Sequence, residues 1–322
     1  MAVAALAACA ALLPAGVTAA QRKPPPLRSM GAFASPLRTD GVRYSAVETL
    51  TGDTLIADQR TQQSFMVKAP AGYGLRAVGG GEVLWTCACR RWSHGQHADD
   101  PLVMTIATHV FEPPPPNFDA YVESLPAEYS LYFDRIGTNW LAGSSMGYHA
   151  ARLEFMNWRT GQTSDQLGAR AVEDLDRPGL RGPLCKPLRR RLIPAGEDGD
   201  DFGDRYLNAV VELPWALLPF YDPKGDRYRV HVGRCGSHRR VVLDIDQEQL
   251  GAGIVTGRRP IATFQGSHAV AYVPRTGARW VWRLPNPGDV VNHAGTRLFV
   301  SGLDGDNRWK VSSAHIPRRA KK

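Results

Sequence analysis

One strand–turn–strand phrase recurs along this chain and limits its fold more than any other feature. The clearest copy is Gly266 to Pro285, GSHAVAYVPRTGARWVWRLP. His268 to Val273 is apolar and rich in β-formers, and Pro274 to Gly277 carries turn chemistry. Ala278 to Leu284 alternates, with Trp280 and Trp282 on one face and Arg279, Val281 and Arg283 on the other. Gly52 to Pro70 has the same frame around Arg60-Thr61. Gly147 to Gln162 repeats the first strand and the Arg159-Thr-Gly161 turn, and Gly295 to Pro317 repeats the frame with Asp304-Gly305 and Trp309. The opening glycine recurs at Gly236, Gly266 and Gly295 at near-equal spacing, the mark of a worn repeat.

The rest of the chain fits an all-β reading. Val42 to Leu50 reads as a first strand, and Tyr73 to Cys89 as two short strands about the turn Gly79-Gly-Gly81. That glycine run is no phosphate loop, because no Gly-Lys-Ser/Thr follows it and its flanks are strands. Leu102 to Phe111 reads as one strand, Leu131 to Leu141 as strands turning at Gly137-Thr138, and later strands as Tyr206 to Leu213, Tyr228 to Val232, Arg239 to Ile245 and Ile261 to Phe264. No long amphipathic helix is present. Four consecutive prolines from Pro113 break the pattern, and Asn117 is placed to cap a short helix from Phe118 to Leu125. Thr163 to Asp204 reads as a long inserted loop.

These residues resemble bacterial β-propeller repeats, the loose group that includes WD-type and quinoprotein-like propellers. The resemblance rests on the frame of Gly, small polar residue, apolar strand, Thr-Gly turn and Trp-bearing strand, spread over much of Gly41 to Pro317. It implies a ring of four-stranded blades, six or seven in number with five possible, and a last blade closed by strands from both chain ends. Val42 to Leu50 and Trp309 to Ile316 are the expected closing partners. The tryptophans are expected to pack between sheets rather than to form a ligand site.

Residues 1–20 are apolar and uncharged and end in small residues, the pattern of a signal peptide, although a basic n-region is missing. Residues 21–40 read as a Pro-rich, basic linker, 41–317 as a single propeller domain and 318–322 as a basic tail. No later stretch is apolar enough to span a bilayer, so an exported monomer, secreted or in the cell envelope, is expected. With 39 Lys and Arg against 31 Asp and Glu, the net charge of +8 favours acidic partners. The basic residues are scattered, which argues against a specific nucleic-acid site.

Beyond Cys9, four cysteines remain, and in an exported chain an even number reads as disulfides. Cys185 with Cys235 is the expected bridge, because Cys87 and Cys89 sit close together on one strand. The same Cys87 and Cys89, with His94 and His97, form a C-x-C-x4-H-x2-H set of zinc-type ligands. Asp198, Asp200, Asp201 and Asp204 make an oxygen-rich loop suited to calcium but without EF-hand spacing. Lys186, Arg189, Arg190 and Arg191 are the densest basic run and a candidate anion site. Gly143-Ser-Ser-Met-Gly147 matches G-x-S-x-G, but a strand rather than a helix follows Ser145. No catalytic residue and no cofactor emerge. The leading expectation is a non-catalytic propeller that binds a protein or cell-envelope glycan through loops on one face. The rival is a glycan-acting hydrolase or lyase with acids at the mouth of the central channel.

Overall fold

The computed structural model describes residues 23–317, except 91–95, 128, 138, 147–150, 164–209, 213–214, 223–226, 235–239, 246–252, 257–260, 265–267, 274–275 and 287–288. The chain opens with β1 (Arg28–Phe33), then β2 (Arg38–Thr39), β3 (Tyr44–Glu48), β4 (Asp53–Asp58) and β5 (Gln63–Lys68). Next come β6 (Gly74–Gly79), β7 (Glu82–Cys87), β8 (His97–Ala98), β9 (Asp100–Thr105), β10 (Val110–Glu112) and the helix α1 (Phe118–Ser124). They are followed by β11 (Ser130–Ile136), β12 (Trp140–Met146), β13 (Ala151–Asn157), β14 (Val210–Glu212), β15 (Trp215–Asp222), β16 (Arg227–Arg234) and β17 (Arg240–Ile245). The last are β18 (Gly253–Thr256), β19 (Ile261–Phe264), β20 (His268–Val273), β21 (Ala278–Arg283), β22 (Val290–Ala294), β23 (Arg297–Leu303) and β24 (Trp309–His315).

Among the described residues these strands make six four-stranded sheets. Four are ordered β2-β3-β4-β5, β6-β7-β9-β10, β14-β15-β16-β17 and β18-β19-β20-β21. In a fifth, β8 adds a short parallel edge to β11-β12-β13. The sixth is β22-β23-β24 completed by β1 from the start of the chain. The result is an all-β propeller. Its first strands face one another in turn, since β2 packs against both β22 and β6, and β6 against β11.

Closure differs from expectation on one side. Trp309–His315 is the C-terminal partner, but its mate is β1, paired antiparallel from Arg28↔Ser313 to Phe33↔Trp309. β1 lies inside the stretch read as linker, and Val42 to Leu50 instead supplies β3, second in its sheet. As the outermost strand β1 is mostly exposed, so it needs no apolar alternation, and its flanking prolines masked it. The Leu102 to Phe111 strand is likewise two strands, β9 and β10, with His109 at φ 57 in the turn.

The sheets hold together through side chains between them. Trp280, Trp282 and Leu284 pack with Leu298, Val300, Ala314 and Ile316, as expected for tryptophans on an outer strand. Trp282 Nε1 donates to the Pro25 carbonyl at 2.7 Å and Trp280 Nε1 to the Pro317 carbonyl at 3.1 Å. Trp85 packs with Ile56 and Met104 and donates Nε1 to Thr54 Oγ1 at 3.0 Å. Between the last sheet and the β2 sheet, Thr39 Oγ1 donates to the His293 carbonyl and Asn292 Nδ2 to the Leu37 carbonyl. Each large apolar side chain removed from water in these seams stabilises the ring by about 1.5–3 kcal/mol.

Candidate functional site

Two departures from the repeat meet on one face. The chain leaves the sheet after Cys87 and returns at Asp100, and on the way His97 and Ala98 pair in parallel with Ser130 and Leu131. Prolines after Glu112 cannot continue the ladder, so the chain turns out of β10 into α1. α1 buries Phe118 and Val122 against Leu131 and Phe133, with the two Phe rings 6.3 Å apart. The helix is where expected, but Asn117 does not cap it through its side chain. It sits in the left-handed region at φ 62, and backbone bonds such as Phe118 N–H to the Pro115 carbonyl serve that end.

Arg90 ties the two excursions together. Its Nε lies 2.6 Å from Asp100 Oδ2 and its Nη1 2.7 Å from Asp119 Oδ1 on α1. Gln96 Nε2 donates to the Leu125 carbonyl at the other end of the helix at 3.0 Å. Asp100 is buried, and burial raises its pKa against the pull of Arg90. Among the described residues its Oδ1 has no hydrogen-bond partner. Burial, then the charge of Asp100, also raises the Tyr73 hydroxyl.

Next to this face, the strands lining the centre carry charges at irregular positions. β6 pairs with β7 as Leu75↔Trp85 and then Ala77↔Leu84, so Arg76 is the extra residue of a bulge. β11 pairs with β12 as Phe133↔Gly143 and then Arg135↔Ala142, so Asp134 is a bulge residue too. A bulge bends the strand and re-aims the residue it inserts. Gly143 makes the second bulge possible, because a Cβ there would run into the Tyr132 carbonyl oxygen. Arg38 on β2 lies in the field of both bulge residues. Burial first and the charge of Arg76 second lower its pKa, while Asp134 and Glu48 oppose them. Arg76 Nη2 bonds Asp99 Oδ2 at 3.2 Å, and Thr86 Oγ1 donates to the same oxygen. Glu48 Oε1 accepts the Leu75 N–H at 2.7 Å. The Nε atoms of Arg38 and Arg76 are buried, and among the described residues neither has a hydrogen-bond partner.

The residues singled out from sequence fall elsewhere or apart. Cys87 and Cys89 have their Cα atoms 5.1 Å apart and their sulfurs against one another. β7 ends at Cys87, so Cys89 lies beyond the strand, and the expected bridge of Cys185 with Cys235 lies outside the described residues. His97 is exposed on β8, and no cluster of three or more metal-type ligands occurs among the described residues. His94, Cys185, Cys235, Lys186, Arg189, Arg190, Arg191, Asp198, Asp200, Asp201 and Asp204 lie outside the described residues. Ser145 is fully buried in the middle of β12, opposite Leu131 and Arg152. The Gly143 of its G-x-S-x-G pattern serves the bulge, not a nucleophile elbow. Among the described residues no helix is long and apolar enough to cross a membrane.

The proline insert, expected to break the repeat, is joined in the structure to the connection between Cys87 and Asp100. No motif in the sequence marked Arg38, Arg76 or Asp134. Their one signal is a charge interrupting apolar β-formers, as in Leu75-Arg76-Ala77 and Phe133-Asp134.

The chain is similar in shape to several propellers. Against the β-propeller domain of Cps50 (Swd1) from Myceliophteria thermophila the TM-score is 0.39 at 8% identity, over 90% of this chain and 100% of that one. Against the β-propeller domain of the Trilobed protease from Pyrococcus furiosus it is 0.31 at 8% identity, over 85% and 78%. Against oligogalacturonate lyase from Vibrio parahaemolyticus it is 0.32 at 9% identity, over 85% and 75%. No protein-family model matches the sequence, and no curated protein matches it.

Proposed function

We propose that this chain is an exported binding scaffold that takes an acidic partner, a cell-envelope glycan or a protein, on the face where the β7–β9 connection meets α1. One observation carries the reading. The two described segments that break the repeat converge there and are fastened to each other by Arg90 to Asp100 and Asp119 and by Gln96 to Leu125. Loops held on a rigid β scaffold are where propellers place recognition. The net charge of +8 favours an acidic partner.

The rival, a glycan-acting hydrolase or lyase, draws on Asp100, whose pKa is raised and whose Oδ1 is unbonded. Its side chain is only 4% exposed behind Arg90, which shields it from a substrate. Asp99, Asp100 and Asp119 each pair with an arginine, an arrangement that suits recognition better than proton transfer.

Mobility in gels containing alginate, with amylose gels as the neutral control, tests the scaffold. Alginate is expected to retard the native protein, Arg90→Ala to weaken the effect and Arg60→Ala to leave it unchanged. Equal weakening by both variants would show charge without a site. Reducing-end release from alginate, lost in Asp100→Asn, would establish the enzyme instead.

A further inference from the structure

We infer that Arg38 and Arg76 form an oxyanion site at the centre of the ring, one that takes a single carboxylate or phosphate group. The inference deepens the scaffold reading and rests on it for the identity of the partner, though not for the anion itself.

Arg76 and Asp134 are both bulge residues, on neighbouring strands β6 and β11, and Arg38 stands on β2 beside β6. Two bulges that turn charged side chains toward one place exceed what packing requires, because the apolar seams between these sheets are filled by Leu84, Leu131 and Phe133 without them. Such irregularities recur beside functional sites because they re-aim a side chain there.

A guanidinium presents five donors in a rigid fork, and its Nε edge is one of the two that grip a carboxylate. On both arginines that Nε is buried and unbonded among the described residues. A buried donor left unpaired is costly, and an oxyanion between the two edges would satisfy both at once.

Arg38 has no ion pair at 4 Å or less among the described residues, whereas Arg76 already holds Asp99. Burial first and the charge of Arg76 second disfavour the charged form of Arg38, and a bound anion would offset both. Asp134 is exposed and its carboxylate acts on Arg38, a charge that opposes a bound anion and favours a ligand with other groups to offer. The Arg76 side chain is 41% exposed outside its buried Nε.

Calorimetric titration of the full chain with inorganic phosphate, sodium glucuronate and glucose tests the site. Saturable binding of phosphate, glucuronate or both is expected, with none for glucose. Phosphate alone identifies a tetrahedral oxyanion as the natural group, and glucuronate alone a sugar acid. Arg38→Met is expected to weaken binding on the order of tenfold to a hundredfold through loss of charge-assisted bonds. Arg38→Lys recovers little of it, because the charge returns without the fork. Asp134→Asn is expected to tighten binding roughly fivefold by removing the repulsion, a gain that a structural role would not produce. Should Arg38→Met fail to fold by circular dichroism, Arg76→Gln, at a more exposed position, carries the same expectation. No saturable binding to either anion, or equal binding by Arg38→Met and Arg76→Gln, overturns the site. Loss of binding in Arg90→Ala moves the anion to the loop face and also overturns it. If Arg90→Ala leaves alginate retardation intact while the arginine variants lose phosphate or glucuronate, the scaffold face falls and the oxyanion site stands.

Discussion

The indole Nε1 of Trp282 donates a hydrogen bond to the carbonyl of Pro25, 257 residues away along the chain. This bond ties the outer strand of one sheet to the segment that leads into β1, the strand that completes the next sheet. Trp282→Phe keeps the ring in its seam and removes the donor, so a loss of about 0.5–1.5 kcal/mol is expected in urea unfolding. Trp282→Ala is expected to cost about 3–5 kcal/mol, as for other buried tryptophans. Near-equal losses would show that the bond to Pro25, not the packing, holds this closure.

Trp85 repeats the device between two other sheets, with Thr54 Oγ1 as its acceptor in a fully buried setting. Thr54→Val conserves shape and strands the indole N–H. The expected cost is about 1–3 kcal/mol by thermal or urea unfolding, and Thr54→Ser should recover most of it.

Gly79 marks the tightest approach between β6 and β11, where a Cβ would collide with the Ile136 carbonyl oxygen. Backbone cannot retreat as a flexible side chain can. Gly79→Ala is therefore expected to destabilise by at least the upper end of the roughly 1–3 kcal/mol typical of overpacking. A loss below 0.5 kcal/mol on the same measurement, a change of roughly the size seen at ordinary surface sites, would mean that the strands can separate there.

Two buried groups contribute opposing slopes to the pH dependence of folding. Burial, opposed by Arg159, raises Glu82 to about 7, and among the described residues its Oε2 has no hydrogen-bond partner. Between its ordinary value and about 7 the folded state holds the extra proton, so stability falls as pH rises through that window. Glu82→Gln should abolish the fall and stabilise the protein at pH 8 on the order of 2 kcal/mol. His293 works in the opposite direction. Complete burial lowers it to about 3, where its Nδ1 meets Thr263 Oγ1 at 2.9 Å. The unfolded chain takes up that proton first, so stability falls as pH drops from about 6.5 towards 3. Urea midpoints across pH 3–8 should therefore peak near pH 5–6 and lose their alkaline slope in Glu82→Gln.

The fold was legible because the hairpin frame alternates with period two, and alternation survives wherever one face of a strand is buried. His268 to Val273 came through with its boundaries intact, and the strand expected over Ala278 to Leu284 ends one residue earlier, at Arg283. The blade boundaries did not, for a physical reason. The frame marks any tight hairpin, not a fixed place in a blade: Gly52 to Pro70 holds third and fourth strands, but Gly295 to Pro317 holds second and third. β1 went unseen because an exposed outer strand has no buried face to leave a pattern. The centre of the ring went unseen because a bulge shifts register by one residue, which in sequence looks like a polar slip in an apolar strand. Arg76 and Asp134 look alike in that respect, and only the pairing on either side shows what they are.

The most direct test of the central claim is anomalous scattering from crystals soaked in sodium selenate. The account predicts an ordered selenium peak within hydrogen-bonding reach of the Nε atoms of both Arg38 and Arg76, absent in Arg38→Met crystals. Peaks confined to exposed arginines such as Arg60 and Arg283, with nothing between Arg38 and Arg76, would contradict it.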